Sequence, residues 1–153
     1  MKTEICSRKD ITRLIETGFP ENTAVISFYT PRKGTVPTED KINFEGVCEN
    51  VFYVGIHDVD LQIIEDYGYT YETYLSQSAC LAEFIYNARV KGLDIICQCD
   101  FGQSRSAACA AAILQHFEKR GIDIFADYRY YPNQLVYHKV FAALEKHKQE
   151  QNG

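Results

Sequence analysis

The chain has 153 residues, enough for one compact domain with a real core, and its 46% hydrophobic and 24% charged content is that of a globular protein. A formal net charge of −5 excludes the basic footprint of a general nucleic-acid binder and disfavours an anionic membrane surface as partner. No run of about 18 apolar residues occurs, so no transmembrane helix is expected, and Met1–Glu4 leads into no signal-peptide core, which makes the cytoplasm the expected location. The six cysteines lie scattered in apolar runs, as reduced and mostly buried thiols do, rather than in a disulfide framework. No linker, repeat or low-complexity tract divides the sequence, so a single domain is expected over residues 1–153, with its core at about 20–145.

In chain order, Ser7-Arg8-Lys9-Asp10 reads as a capping box that opens a helix carrying Ile11, Leu14 and Ile15 on one face. Gly18 and Pro20 stop it. Thr23–Tyr29 (TAVISFY) is β-branched and aromatic, hence a strand. Pro31–Asp40 is a polar loop with two prolines. Val51–Ile56 predicts a second strand, and a loop follows from His57 to Tyr69. The pattern then predicts a long helix over Tyr71–Val90, with Leu81, Phe84, Ile85 and Ala88 as its apolar stripe, ended by Gly92. Leu93–Gln98 is a short buried strand, and a helix follows over Ser104–Lys119, with Gly121 as its stop. The small residues Ala107–Ala112 suit close approach of that helix to a sheet. A last helix is expected over Asn133–Lys148, with a polar, frayed end from Lys148 to Gly153. Strands alternating with helices predict an α/β fold with a central, mostly parallel sheet flanked by helices.

The chemistry concentrates in Cys99-Asp100-Phe101-Gly102-Gln103-Ser104-Arg105-Ser106, between a buried strand and an apolar helix. A loop in that position can turn successive N–H groups into one concavity, and that nest plus the helix N-terminus binds a phosphate dianion. Asp100, Phe101, Gly102, Gln103, Ser104 and Arg105 are therefore the expected phosphate-binding residues. Gly102 permits a backbone angle that other residues resist. Arg105 offers a fork that pairs two phosphate oxygens. The same field stabilises a thiolate, making Cys99 the expected nucleophile, and Ser106 can hydrogen-bond the departing sulfur.

Read as Cys-x5-Arg-Ser, the segment CDFGQSRS resembles the signature of the cysteine-dependent tyrosine and dual-specificity phosphatases, specifically the small dual-specificity branch. The order of elements resembles that family over roughly residues 20–145, though only the loop is specific. The resemblance implies a phosphotyrosine-phosphatase-like fold and hydrolysis of phosphomonoesters through a cysteinyl-phosphate, with no metal or other cofactor. The implied partner is a phosphorylated protein or a small aryl phosphate. It also implies an Asp on an upstream loop that protonates the leaving oxygen. Asp58 fits the strand-x-Asp pattern of Ile56-His57-Asp58, Asp60 fits an alignment anchored on Tyr53, and Asp66 fits the spacing to Cys99 but not the context. Two departures stand out. Gln98 occupies the place of the family's usual His, and Asp100 puts an acid inside the loop, which opposes a polyphosphorylated substrate and a neighbouring thiolate.

Other readings stay open. The loop also suits a phosphate-binding module without turnover, and rhodanese-like sulfur-transfer or arsenate-reducing enzymes carry similar loops. Cys97 and Cys99 lie two apart on a strand, a poor geometry for a regulatory disulfide. His57, Asp58 and Asp60 could be read as metal ligands, but solvated loop residues explain them better. Tyr67, Tyr69, Tyr71 and Tyr74 either wall a cleft or pack as amphipathic surface. Arg129 meets either a substrate or a carboxylate, and Asn133 reads as a helix cap.

Overall fold

A computed structural model of the protein describes residues 1–32 and 40–152. Four strands form one sheet in the order β1-β4-β2-β3, where β1 is Thr3–Cys6, β2 Thr23–Tyr29, β3 Val51–Gly55 and β4 Asp94–Gln98. All three pairings are parallel, as expected for strands separated by helical crossovers. β2 and β4 lie inside the sheet, and their sequences TAVISFY and DIICQ are nearly continuous apolar runs because both faces are covered.

The strand alternation sorts the core into two layers. Val25 and Ile96 face α1 (Arg8–Thr17), where Ile11, Ile42 and Phe44 complete a smaller cluster. Ala24, Ile26, Phe28, Ile95 and Cys97 face the other way, into the main core. Three helices cover that face: α2 (Ser78–Val90), α3 (Arg105–Glu118) and α5 (Gln134–Asn152), with a single turn α4 (Ile122–Phe125) between the last two. Ala107 to Ala112 of α3 are all fully buried, so the run of small residues does let this helix sit between the sheet and α5.

The capping box of α1 is present: Ser7 Oγ accepts from Asp10 N (3.0 Å) and Asp10 Oδ2 from Ser7 N (3.3 Å). Gly92, at φ +72, ends the turn after α2. Several expectations need correction. The strand β1 has no counterpart in the sequence reading. The helix expected from Tyr71 starts only at Ser78, because Leu75 takes a left-handed conformation (φ +52) and residues 71–77 form turns. Lys119, not Gly121, ends α3 in a left-handed cap (φ 59), while Gly121 precedes α4 at a place where a Cβ would fall 2.8 Å from Gln115 Cβ and 2.9 Å from the Ala111 carbonyl oxygen. The end from Lys148 remains helical through Asn152. The loop expected over Pro31–Asp40 lies mostly outside the described residues. Among the described residues, no helix is long and apolar enough to cross a membrane.

Candidate active site

Cys99 follows β4 directly, and Arg105 is the first residue of α3, so residues 99–105 form the turn between an interior strand and a buried helix. The loop rests on the turn between β1 and α1. Cys99 N donates to Cys6 O (3.3 Å) and Arg8 N to Asp100 O (3.0 Å). Gly102 has φ +67, and a Cβ there would fall 2.7 Å from Ser7 N and 3.0 Å from Cys6 C. Glycine is therefore required twice, by the backbone angle and by the close approach. On the opposite side, Tyr131 N donates to Gln103 O (2.8 Å) and Asn133 N to Ser104 O (3.2 Å). Among the described residues, the backbone N–H groups from Asp100 to Arg105 donate to no protein acceptor, which leaves a consecutive row of unused donors.

Within this loop, Cys99 is 3% exposed, and its Sγ lies 3.0 Å from Ser106 Oγ. The Arg105 guanidinium is buried and pinned to the ends of the neighbouring strands. Its NH1 donates to Ile56 O (2.7 Å) and to Thr30 Oγ1 (3.0 Å). Its NH2 lies 3.5 Å from Asp100 Oδ2, and among the described residues its Nε has no partner. A buried N–H without an acceptor costs energy unless something arrives to accept from it. Asp100 also pairs through Oδ1 with Arg8 Nε at 3.3 Å. Phe101 is 82% exposed beside the loop. Arg8, Thr30, Arg32, Asp40, Asp100 and Phe101 line a cavity of about 450 Å³. Behind the loop, Gln98 is buried with Oε1 accepting from Ser27 Oγ and Nε2 unpaired.

The structure separates the three upstream acids. Asp58 reaches the loop, its Oδ1 accepting from Ser104 Oγ (2.7 Å) and Asn133 Nδ2 (2.8 Å). Asp60 turns back onto its own segment, accepting from Gln62 N (3.1 Å). Asp66 lies in the 3-10 turn Ile64–Tyr67, exposed, with no side-chain contact to the loop. Asn133 does cap α5, since its Oδ1 accepts from Val136 N (2.9 Å), and its Nδ2 also donates to Val59 O (2.9 Å). The cap thereby ties the start of α5 to the Asp58 segment.

Of the four tyrosines, two buttress that segment. Tyr74 is fully buried and donates to His57 O (2.6 Å), and Tyr69 OH meets His57 Nδ1 (3.1 Å). Burial, reinforced by the Asp58 charge, pushes the Tyr74 phenol well above its ordinary range. Tyr67 and Tyr71 are exposed, the latter under Lys139 Nζ (4.7 Å from the ring centroid). Arg129 meets a carboxylate, Asp127, at 2.7 Å. Cys97 is a free thiol rather than a disulfide partner of Cys99, and its interaction with Cys109, together with burial, holds it well above the ordinary value. Among the described residues, no three His, Cys, Asp or Glu side chains are placed to hold a metal ion.

Sequence reasoning missed Arg8 and Thr30 as neighbours of the loop and gave Asn133 a capping role alone. The only local signal for Arg8 was its place inside the Ser7 capping box.

No protein-family model matches the sequence, and no curated protein matches it. Solved structures do. PTPMT1 in complex with PI(5)P superposes with a TM-score of 0.56 at 12% identity, covering 98% of this chain and 94% of that one. The human tyrosine phosphatase-like serine/threonine/tyrosine-interacting protein gives a TM-score of 0.52 at 17% identity, over 96% and 87% of the two chains. A leucine-rich repeat and phosphatase domain containing protein from Entamoeba histolytica gives 0.52 at 11% identity, over 97% and 89%. A central parallel sheet flanked by helices, with the loop of Cys99 to Arg105 at the head of its buried helix, is here the fold of the tyrosine and dual-specificity phosphatases.

Proposed function

We propose that the protein is a cysteine-dependent phosphatase that hydrolyses phosphomonoesters, aryl phosphates among them, through a cysteinyl-phosphate. The observation that carries this reading is the buried Cys99–Ser106 pair at 3.0 Å beside an Arg105 whose Nε has no protein acceptor. In the first step the Cys99 thiolate attacks phosphorus, the P–O bond to the leaving group breaks, and a protonated Asp58 gives that oxygen its proton. The row of free N–H groups and the Nε and NH2 edge of Arg105 take the phosphoryl oxygens as charge spreads onto them. In the second step Asp58 accepts a proton from water, the hydroxide oxygen attacks phosphorus, and the S–P bond breaks. Ser106 Oγ then donates to the leaving thiolate, and inorganic phosphate departs. Both donors to Asp58 converge on Oδ1, which leaves Oδ2 to carry the transferred proton. The nucleophile is the Cys99 thiolate, supplied by the chain itself, so the scheme needs no metal ion.

A second reading, a phosphate-binding module with little turnover, draws support from Asp100, whose carboxylate already lies at Arg105. One experiment separates the two. Hydrolysis of an aryl phosphate, a phosphotyrosine peptide and a phosphoinositide is measured from about pH 5 to 8 for wild type, Cys99→Ser, Asp58→Asn and Asp60→Ala. Under the phosphatase reading Cys99→Ser is inactive, Asp58→Asn loses on the order of 10²- to 10⁴-fold in kcat, and Asp60→Ala stays near wild type. Absence of turnover in wild type, together with tight binding of phosphate, overturns it in favour of the binding module.

A further inference from the structure

We propose that Arg8 is a positioning residue of the oxyanion site: it holds Asp100 back from Arg105 and so keeps the Arg105 fork open for the ligand. The proposal rests on the phosphate-binding reading above and adds how the arginine of that site is kept available.

Asp100 is an internal anion fixed next to the cation that the ligand must use. Its Oδ2 lies 3.5 Å from Arg105 NH2, an ion pair without a hydrogen bond. The attraction is present, but the donor is not consumed. Its other oxygen is held by Arg8 Nε at 3.3 Å, while Arg8 N donates to the Asp100 carbonyl at 3.0 Å. Arg8 grips the same residue through backbone and side chain, from the first turn of a helix whose capping box fixes its direction. Its NH2 is anchored in turn on Asp40 O at 2.5 Å. Asp100 is thus drawn outward by a cation that is itself tied down.

The consequence follows from the geometry at Arg105. NH1 is occupied by Ile56 O and Thr30 Oγ1, so among the described residues Nε and NH2 form the edge left open to an incoming oxyanion. Without the Arg8 side chain, Arg105 is, among the described residues, the ion-pair partner left to Asp100. A shift of less than about 1 Å then turns the 3.5 Å approach into a charge-assisted bond on that edge. A carboxylate attached to the loop competes at high effective concentration with any free anion. A simple charge role for Arg8 predicts something different: loss of one positive charge would weaken anion binding by the same factor whether or not Asp100 is present.

The test is a double-mutant cycle read by isothermal titration calorimetry with tungstate, which requires no turnover. Wild type, Arg8→Ala, Asp100→Asn and the double variant are compared, with Arg8→Gln as a second single variant and circular dichroism melts as the control for folding. The expected result is that Arg8→Ala and Arg8→Gln weaken tungstate binding on the order of tenfold, the scale of one charge-assisted bond. Asp100→Asn should bind more tightly than wild type, and the double variant should fall within about threefold of Asp100→Asn. Equal losses from Arg8→Ala in both backgrounds overturn the proposal and make Arg8 a simple charge, as does unchanged affinity in both Arg8 variants. Failure of folded wild type to bind tungstate overturns the oxyanion site itself, and the proposal with it.

Discussion

Replacing Gly102 by Ala tests the seating of the loop on the β1–α1 turn. Two costs are separable. A residue with a Cβ at φ +67 enters the left-handed region, at about 1–2 kcal/mol. The added Cβ also falls 2.7 Å from Ser7 N and 3.0 Å from Cys6 C, where contacts of about 3.5 Å or more are normal. Both atoms are backbone, held by the bonds from Cys99 N to Cys6 O and from Arg8 N to Asp100 O, so no side chain can swing away. Overpacking of this kind costs about 1–3 kcal/mol, and the sum is about 2–5 kcal/mol. Gly92 supplies the control: its φ is +72, but a Cβ there meets nothing within 4 Å, so Gly92→Ala carries the backbone cost alone. Urea unfolding followed by circular dichroism gives both values, and tungstate titration of the folded variants reports the site. Gly102→Ala should lose at least about 1 kcal/mol more than Gly92→Ala and lose oxyanion affinity, which Gly92→Ala keeps. Equal losses, with tungstate binding intact in both, would refute the idea that the loop is shaped by its contact with Cys6 and Ser7.

Three further outcomes follow from side chains around the site. Tyr74→Phe removes the donor to His57 O and should cost about 1–2 kcal/mol in urea unfolding, a loss below about 0.3 kcal/mol contradicting the buttress. Because folding raises the Tyr74 phenol above its ordinary value of 10.0, the folded state holds the proton that the unfolded state releases, so wild-type stability should fall as pH climbs past about 10. The fall should be shallower in Tyr74→Phe. Burial, with the Asp10 and Glu4 charges, pushes the Cys6 thiol up to about 11, so at pH 8 only about one molecule in a thousand carries its thiolate. Iodoacetamide at that pH should alkylate exposed Cys80 first and spare Cys6, as read by peptide mass spectrometry, and comparable rates at the two would show that the β1–α1 turn opens readily.

What the sequence disclosed depended on how far each contact reaches along the chain. TAVISFY was legible as a strand because both of its faces are buried, and CDFGQSRS because loop chemistry and flanking elements are contiguous. Strand β1 was not, since Thr3–Cys6 is only four residues long and half-exposed at the sheet edge, too short for alternation to stand out. The start of α2 was misplaced because a leucine at φ +52 is set by tertiary packing of Tyr74 and Leu75, not by propensity. Asp58 and Asp60 flank the same buried Val59, and only partners 46 and 75 positions away, Ser104 and Asn133, distinguish them. Arg8 meets Asp100 across 92 positions, a pairing that no local pattern encodes.

The parallel sheet explains why residues so far apart share one site. Every strand runs the same way, so the segments leaving β1, β2, β3 and β4 emerge along one edge: Arg8, Thr30, Asp58 and Cys99 in turn. Register then fixes neighbours. Cys6 and Ser27 both stand opposite Gln98, which places the β1 turn on one side of the loop and the Ser27 hydroxyl within reach of Gln98 Oε1 on the other. The end of β3 supplies Ile56 O to Arg105 NH1, so main chain orients the guanidinium together with the Thr30 hydroxyl at the end of β2. A shift of β3 by one residue against β2 would break the Tyr29–Gly55 pairing and carry Ile56 O away from Arg105. In this chain the orientation of Arg105 is therefore a property of strand register, and under the proposed function sheet stability and oxyanion affinity are coupled through it.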